Sequence, residues 1–292
     1  MKIYSRLLVG FAALLLYPVE QATAQSPWLP GEGNKSVFFD YTYEEIPEYW
    51  KGSALRPNID RGGRFNHLTQ QTFTFGYEQG LSDELALDVS VGYTRLNAGG
   101  GVGIANGMDD TRVGIRYALI DEFAEDAGDW TPTVTWFSRL TMPGSYPEEG
   151  YDTHFCSAGD KAWGFENGFR LGKVINDWFG VYGSLSYAVK EGGQPEEINS
   201  SFGMYGSITD RLTFTADIGH QHALGGPDFF GPGWSKASTA RSKERFTNVV
   251  GGLNYFFESG LALSLRYGET IDGENTGKKD PLVASTISYS FR

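Results

Sequence analysis

The chain closes on Thr286-Ile287-Ser288-Tyr289-Ser290-Phe291-Arg292, and this alternation of apolar and polar residues predicts a strand with one apolar face. At the other end, Lys2 and Arg6 precede an apolar stretch from Leu7 to Leu16 and the small-residue site Ala22-Thr23-Ala24, the layout of a cleaved secretory signal. Residues 1–24 are therefore read as signal and 25–292 as a single mature domain that starts at Gln25. An exported chain that ends on an alternating aromatic strand reads as an outer-membrane β-barrel, with that last strand as the segment offered to the barrel-assembly machinery.

Working inward, segments of about ten alternating residues recur along the chain, about twelve in all. Val37, Phe39, Tyr41 and Tyr43 fall on one face, with Asp40 and Thr42 on the other. Leu85, Leu87, Val89, Val91 and Tyr93 oppose Asp88, Ser90, Gly92 and Thr94. Val113, Ile115, Tyr117 and Leu119 oppose Arg112, Gly114 and Arg116, and Phe165, Phe169 and Leu171 oppose Glu166, Gly168 and Arg170. Charges keep to one face, so that face is assigned to the lumen and the other to lipid.

The connections repeat the same message. After even segments they are mostly tight, as at Gly80 to Glu84, Ile175 to Asp177, Thr209 to Arg211 and Glu258 to Gly260, with Asp121 to Asp129 somewhat longer. After odd segments they are mostly long, as at Glu44 to Asn66, Asn97 to Asp109, Met142 to Asp160, Glu191 to Glu197, Gln221 to Lys243 and Asp272 to Asp280. Short periplasmic turns and long extracellular loops are the asymmetry of such barrels. Tyr43, Tyr93, Tyr187 and Tyr267 fall near one edge of the predicted wall and Tyr77, Tyr117, Tyr255 and Tyr289 near the other, as interfacial girdles require. A soluble β-sandwich or lipocalin-like barrel also alternates and is the competing architecture.

Composition narrows the function. The net charge of −12 argues against a nucleic-acid partner. Hydrophobic residues make up 40% of the chain beside 39 glycines, too polar for a helical membrane protein but natural for a wall in which alternate residues face lipid. With Cys156 the only cysteine, no intramolecular disulfide forms.

A function would live in the lumen. Asp88, Arg112, Arg116, Arg139, Glu166, Arg170, Asp217 and Arg266 are predicted to point inward near mid-strand, with Asp40 and Glu78 nearer the ends. Such charges are costly in a closed bore unless paired or hydrated. Two readings follow: a salt-bridge network that fills the bore, or a selectivity zone whose guanidinium groups attract carboxylates or phosphates. Small residues such as Ser90, Gly92, Gly114, Gly168, Ser184 and Ser186 leave room for a narrow path.

Elsewhere the chemistry is thin. Asp152-x-His154-x-Cys156 sets a thiol near an imidazole in a loop without an oxyanion site, and His220-x-His222 lacks a third metal ligand. No catalytic residue, metal site or cofactor is assigned, and the chain is not read as an enzyme. The acidic loop residues could meet lipopolysaccharide through divalent cations. Trp234, within Phe229-Phe230-Gly231-Pro232-Gly233-Trp234, is the loop candidate: such aromatics plug a mouth, capture ligand or rest at the membrane interface.

Asp110 to Leu119, Leu140-Thr141-Met142-Pro143-Gly144-Ser145 and Thr209-Asp210-Arg211-Leu212 resemble, in order and spacing, the outer-membrane proteins of the phenol meta-pathway degradation family. The resemblance implies a barrel and a transporter of small, often aromatic or hydrophobic compounds. It carries no catalytic residue across. Such barrels typically end on an aromatic residue, whereas Arg292 here follows Phe291. The function expected is passive uptake of small solutes across the bacterial outer membrane, among outer-membrane lipid and lipopolysaccharide. The alternative is a closed structural or surface-interaction barrel that acts through its loops.

Overall fold

The computed structural model describes residues 26–58, 68–97, 104–125, 127–145, 161–234 and 241–292. Its strands are β1 (Lys35–Ile46), β2 (Glu48–Lys51), β3 (Ala54–Pro57), β4 (Leu68–Gly80), β5 (Leu85–Asn97), β6 (Ile104–Met108), β7 (Thr111–Ile120) and β8 (Thr133–Met142). The second half adds β9 (Gly164–Asn176), β10 (Phe179–Lys190), β11 (Glu197–Ser207), β12 (Leu212–Ala223), β13 (Arg245–Phe256), β14 (Leu261–Glu274), β15 (Gly277–Lys278) and β16 (Leu282–Phe291).

Twelve of these, all but β2, β3, β6 and β15, form one antiparallel wall that runs from β4 through β1, β16 and β14 round to β5, and the β4–β5 pairing closes it. They coincide with the alternating segments read from the sequence. The short β6 continues the line of β7 and pairs with the outer half of β5. A single closed wall removes the sandwich alternative, which needs two facing sheets.

Burial is inverted relative to a water-soluble protein. Leu265, Leu185, Ile287 and Phe75 are more than half exposed on the outer surface, while Asp40, Glu78, Arg116 and Arg170 are at most 2% exposed inside. A surface of that kind is stable against hydrocarbon, and closure satisfies the backbone that lipid cannot. The cross-strand register carries the split around the wall: Phe39 sits opposite Ile287 on the outside, and Asp40 opposite Thr286 on the inside.

The barrel has a turn end and a loop end. At the turn end, only residues 177–178, 81–84, 208–211 and 257–260 join successive strands, with a longer turn at 121–132. At the loop end, two segments expected to be plain loop are structured instead. β2, β3 and β15 form a separate three-stranded sheet that joins the segment after β1 to the segment after β14. Trp50 of β2 is buried there, lying where any side chain at Gly273 would stand.

Asn275 fastens this end. It is fully buried at a positive φ of 53°, which asparagine tolerates better than most residues. Its Oδ1 accepts from the backbone N–H of Gly52 at 2.9 Å and of Phe229 at 3.0 Å. Its Nδ2 donates to Asp228 Oδ1 at 2.9 Å and to the Lys243 carbonyl at 2.8 Å. One side chain thus ties together three connections that are far apart in sequence.

Candidate functional site

The inward-facing charges assemble into a few clusters set by register. Glu78 and Asp88 stand side by side on β4 and β5, and Gly114 is the next neighbour round the wall. A Cβ at Gly114 would strike the Asp88 carboxylate, so glycine lets that group lie against the wall. Arg116 then reaches both acids, contacting Glu78 directly and placing Nε 3.7 Å from Asp88 Oδ1. A second cluster pairs Arg139 with Glu166 at 3.3 Å, and Glu166 also accepts from Ser186 Oγ at 2.5 Å. In a third, Arg266 bonds Asp40 at 3.0 Å, which also accepts from Thr286 and Thr42 at 2.6 and 2.8 Å. Asp217 accepts from the Tyr182 hydroxyl.

Arg170 differs from these. Its guanidinium lies over the Phe137 ring at 4.1 Å, and its Nε and Nη1 are buried without a protein hydrogen-bond acceptor. Of the predicted residues, Arg112, Arg139, Glu166, Arg170, Asp217 and Arg266 line one cavity, and Arg116 and Asp88 pair with each other. Arg112 is the exposed member, on the wall of the cavity nearer the loop end.

That cavity, of about 620 Å³, occupies the loop half of the lumen. Arg139, Arg170, Asp217, Arg266 and Phe137 lie at its deeper part, and Phe229, Asn275 and Thr276 at its outer part. Lys190–Glu197 at 2.6 Å and Lys279–Glu44 at 2.7 Å pair across its rim. Phe229 rather than Trp234 lines the space. Trp234 instead packs on Phe230, with ring centres 4.6 Å apart, and is half-buried.

The turn half holds a feature that alternation could not reveal. The segment Ser26-Pro27-Trp28-Leu29-Pro30 enters the lumen. Arg116 Nη1 donates to the Ser26 carbonyl at 3.2 Å, and Thr135 Oγ1 donates to the Pro27 carbonyl at 2.5 Å. Trp28 Nε1 donates to Glu122 Oε1 at 2.8 Å, and its ring meets Tyr205 edge-on at 5.7 Å. Glu122, almost wholly buried, comes from the long turn after β7 and also accepts from Lys173 and the Val174 N–H, both at 3.0 Å. Gly172 makes room, since a Cβ there would run into Pro27 and stand 2.8 Å from Trp28. Among these residues only Arg116 belonged to the sequence-derived set. A tryptophan between two prolines just after the signal was the one available hint.

Asp152, His154 and Cys156 lie outside the described residues. His220 and His222 stack at 6.4 Å, and His220 Nδ1 contacts Thr247 Oγ1 at 2.9 Å. Among the described residues no group of three metal-ligating side chains occurs.

No protein-family model and no curated relative matches the chain. Solved structures do. The COG4313 outer membrane channel from Pseudomonas putida F1 superposes with a TM-score of 0.70 at 13% identity, over 91% of this chain and 98% of that one. Weaker likeness extends to the NanC porin (TM-score 0.49, 11% identity, 88% and 99% covered) and the CymD monoaromatic hydrocarbon channel (TM-score 0.45, 12% identity, 94% and 93% covered). At such identities the likeness speaks for the fold: a twelve-stranded barrel of the outer-membrane type.

Proposed function

We propose that this protein is a passive outer-membrane channel for small solutes, with its arginine-rich lumen setting charge preference. The loop end faces the cell exterior in this reading, and both chain ends face the periplasm. The observation that carries it is the cavity in the loop half, whose deeper wall presents Arg139, Arg170 and Arg266 to any solute entering between the loops. Guanidinium groups in a low-dielectric bore attract anions more strongly than they would in water. Aromatic or hydrophobic solutes, as in the family it resembles, stay compatible with this reading through Phe137, Phe229 and Phe246 on the same wall.

The working partners are outer-membrane lipid and lipopolysaccharide around the wall, the assembly machinery at β16, and the solute. The test is single-channel recording of the refolded mature chain in a planar bilayer with a salt gradient. Open steps with an anion-selective reversal potential are expected, and reversal of charge at Arg139 should move that potential. A selectivity that Arg139→Glu leaves unmoved in a conducting protein rules out the arginine filter.

The closed structural or surface-interaction barrel is the second reading, favoured by residues 26–30 packed into the turn half. A correctly folded, silent protein that stays silent when this segment is removed would select it.

A further inference from the structure

We infer that Arg170, held on the Phe137 ring, is the recognition group of a subsite for a small carboxylate at the deep wall of the lumen cavity. The inference rests on the lumen being a solute path and names what that path binds.

Three observations converge on Arg170. First, it is 2% exposed yet lines the cavity, so its charge has been taken out of bulk water beside a space that a solute can enter. Second, the guanidinium neighbours on either side make direct ion pairs, Arg116 with Glu78 and Asp88 and Arg139 with Glu166. Arg170 has no carboxylate within 4 Å among the described residues, and its Nε and Nη1 have no protein acceptor. Buried guanidinium donors left unmet in this way are costly until an acceptor satisfies them. Third, the guanidinium carbon lies 4.1 Å from the centre of the Phe137 ring, a contact that restrains the side chain and lowers the ordering cost of binding.

The class of ligand follows from charge and shape. Glu78, Asp88 and Glu166 together offset the charges of Arg116, Arg139 and Arg170, so this layer tolerates the single charge of a monoanion better than the two of a phosphate dianion. A planar carboxylate accepts paired N–H donors in the geometry a guanidinium offers, and a spherical halide cannot. Ser184 stands opposite Arg170 in the register and hydrogen-bonds Ser201 at 2.7 Å. Both line the cavity and add hydroxyl donors beside the cation. Phe246, Phe229 and Val250 supply apolar wall for the body of such a molecule.

The experiment is a calorimetric titration of the refolded mature protein in detergent micelles, with benzoate and acetate as probes, benzamide as the neutral isostere and chloride as competitor. Saturable benzoate binding that acetate displaces and benzamide and chloride do not is expected. Arg170→Met keeps the volume and removes a buried charge, so the barrel should fold, and benzoate affinity should fall by at least about tenfold. Arg170→Lys keeps the charge without the planar fork and should also bind about tenfold more weakly, which preserves the test if the methionine variant fails to fold. Arg211→Gln, at an exposed turn, should bind as the parent does. Benzoate binding that survives both Arg170 substitutions, or chloride competing as well as acetate, overturns the subsite. Binding is measured without current. A protein that binds benzoate but never conducts keeps the subsite and loses the channel, and one that conducts without binding does the reverse.

Discussion

The two ends of the lumen are held by different chemistry. At the loop end, Asn275 spends four hydrogen bonds, three to backbone groups and one to the Asp228 carboxylate, on two other connections, and the small sheet of β2, β3 and β15 adds ladder bonds around it. At the turn end, five residues hang from one guanidinium, one hydroxyl and one buried carboxylate and add no strand to the wall. The loop end is thus a rim knit together by its own backbone, and the turn end a short insertion held by side chains of the wall and of one turn.

The largest effect should come from releasing the turn end. Deletion of residues 26–30, or Gly172→Ala, whose added methyl collides with Pro27 and Trp28, should raise single-channel conductance several-fold over the parent. Equal conductance would move the constriction up to the Arg116–Arg170 layer. Next comes the layer itself. Arg116→Met strands Glu78 and Asp88 as buried charges and should cost about 3–5 kcal/mol in urea unfolding, and adding Glu78→Leu should return most of the loss. A single variant as stable as the parent would mean that water reaches those acids.

At the loop-end rim, Asn275→Ala leaves the buried Phe229 N–H and the half-buried Gly52 N–H and Lys243 carbonyl without these partners and should cost about 2–3 kcal/mol. The readout is faster protease cleavage in residues 224–244 with an unchanged core barrel; uncleaved loops would show that the sheet alone holds the rim. The smallest effect is alkaline. Burial opposes the charge on Lys278, but hydrogen bonds to Glu48 and Asp280 outweigh it and raise its pKa above the ordinary 10.5. A raised pKa means stability present below that value and lost as pH rises through the folded one. Trp50 fluorescence should therefore change only above about pH 10.5, and the change should disappear in Lys278→Met.

The wall was legible because a strand has a period of two and a membrane barrel must repeat it: Arg112, Gly114 and Arg116 could be assigned inward from their neighbours Val113 and Ile115 alone. Partners were not legible, since Glu78 meets Arg116 only through the offsets of β4, β5 and β7, which no single strand encodes. Phe137 shares the face of Arg139 by period alone, but no single strand shows that its ring would lie under the Arg170 guanidinium of the next one. Residues 26–30 have no period at all, and Asn275 works through backbone groups whose positions depend on the finished loops. Trp234 was the loop candidate, yet Phe229, whose own N–H is held by Asn275, is the one of that stretch that lines the cavity.

The inserted N-terminal segment also keeps time. Its bonds span 90 residues from Ser26 to Arg116, 94 from Trp28 to Glu122 and 108 from Pro27 to Thr135, and the Trp28 ring waits for Tyr205 on β11. Contacts of such sequence separation form late. Trp28 therefore reaches its final surroundings only after most of the wall exists, and its emission would mark the last step of assembly rather than the first.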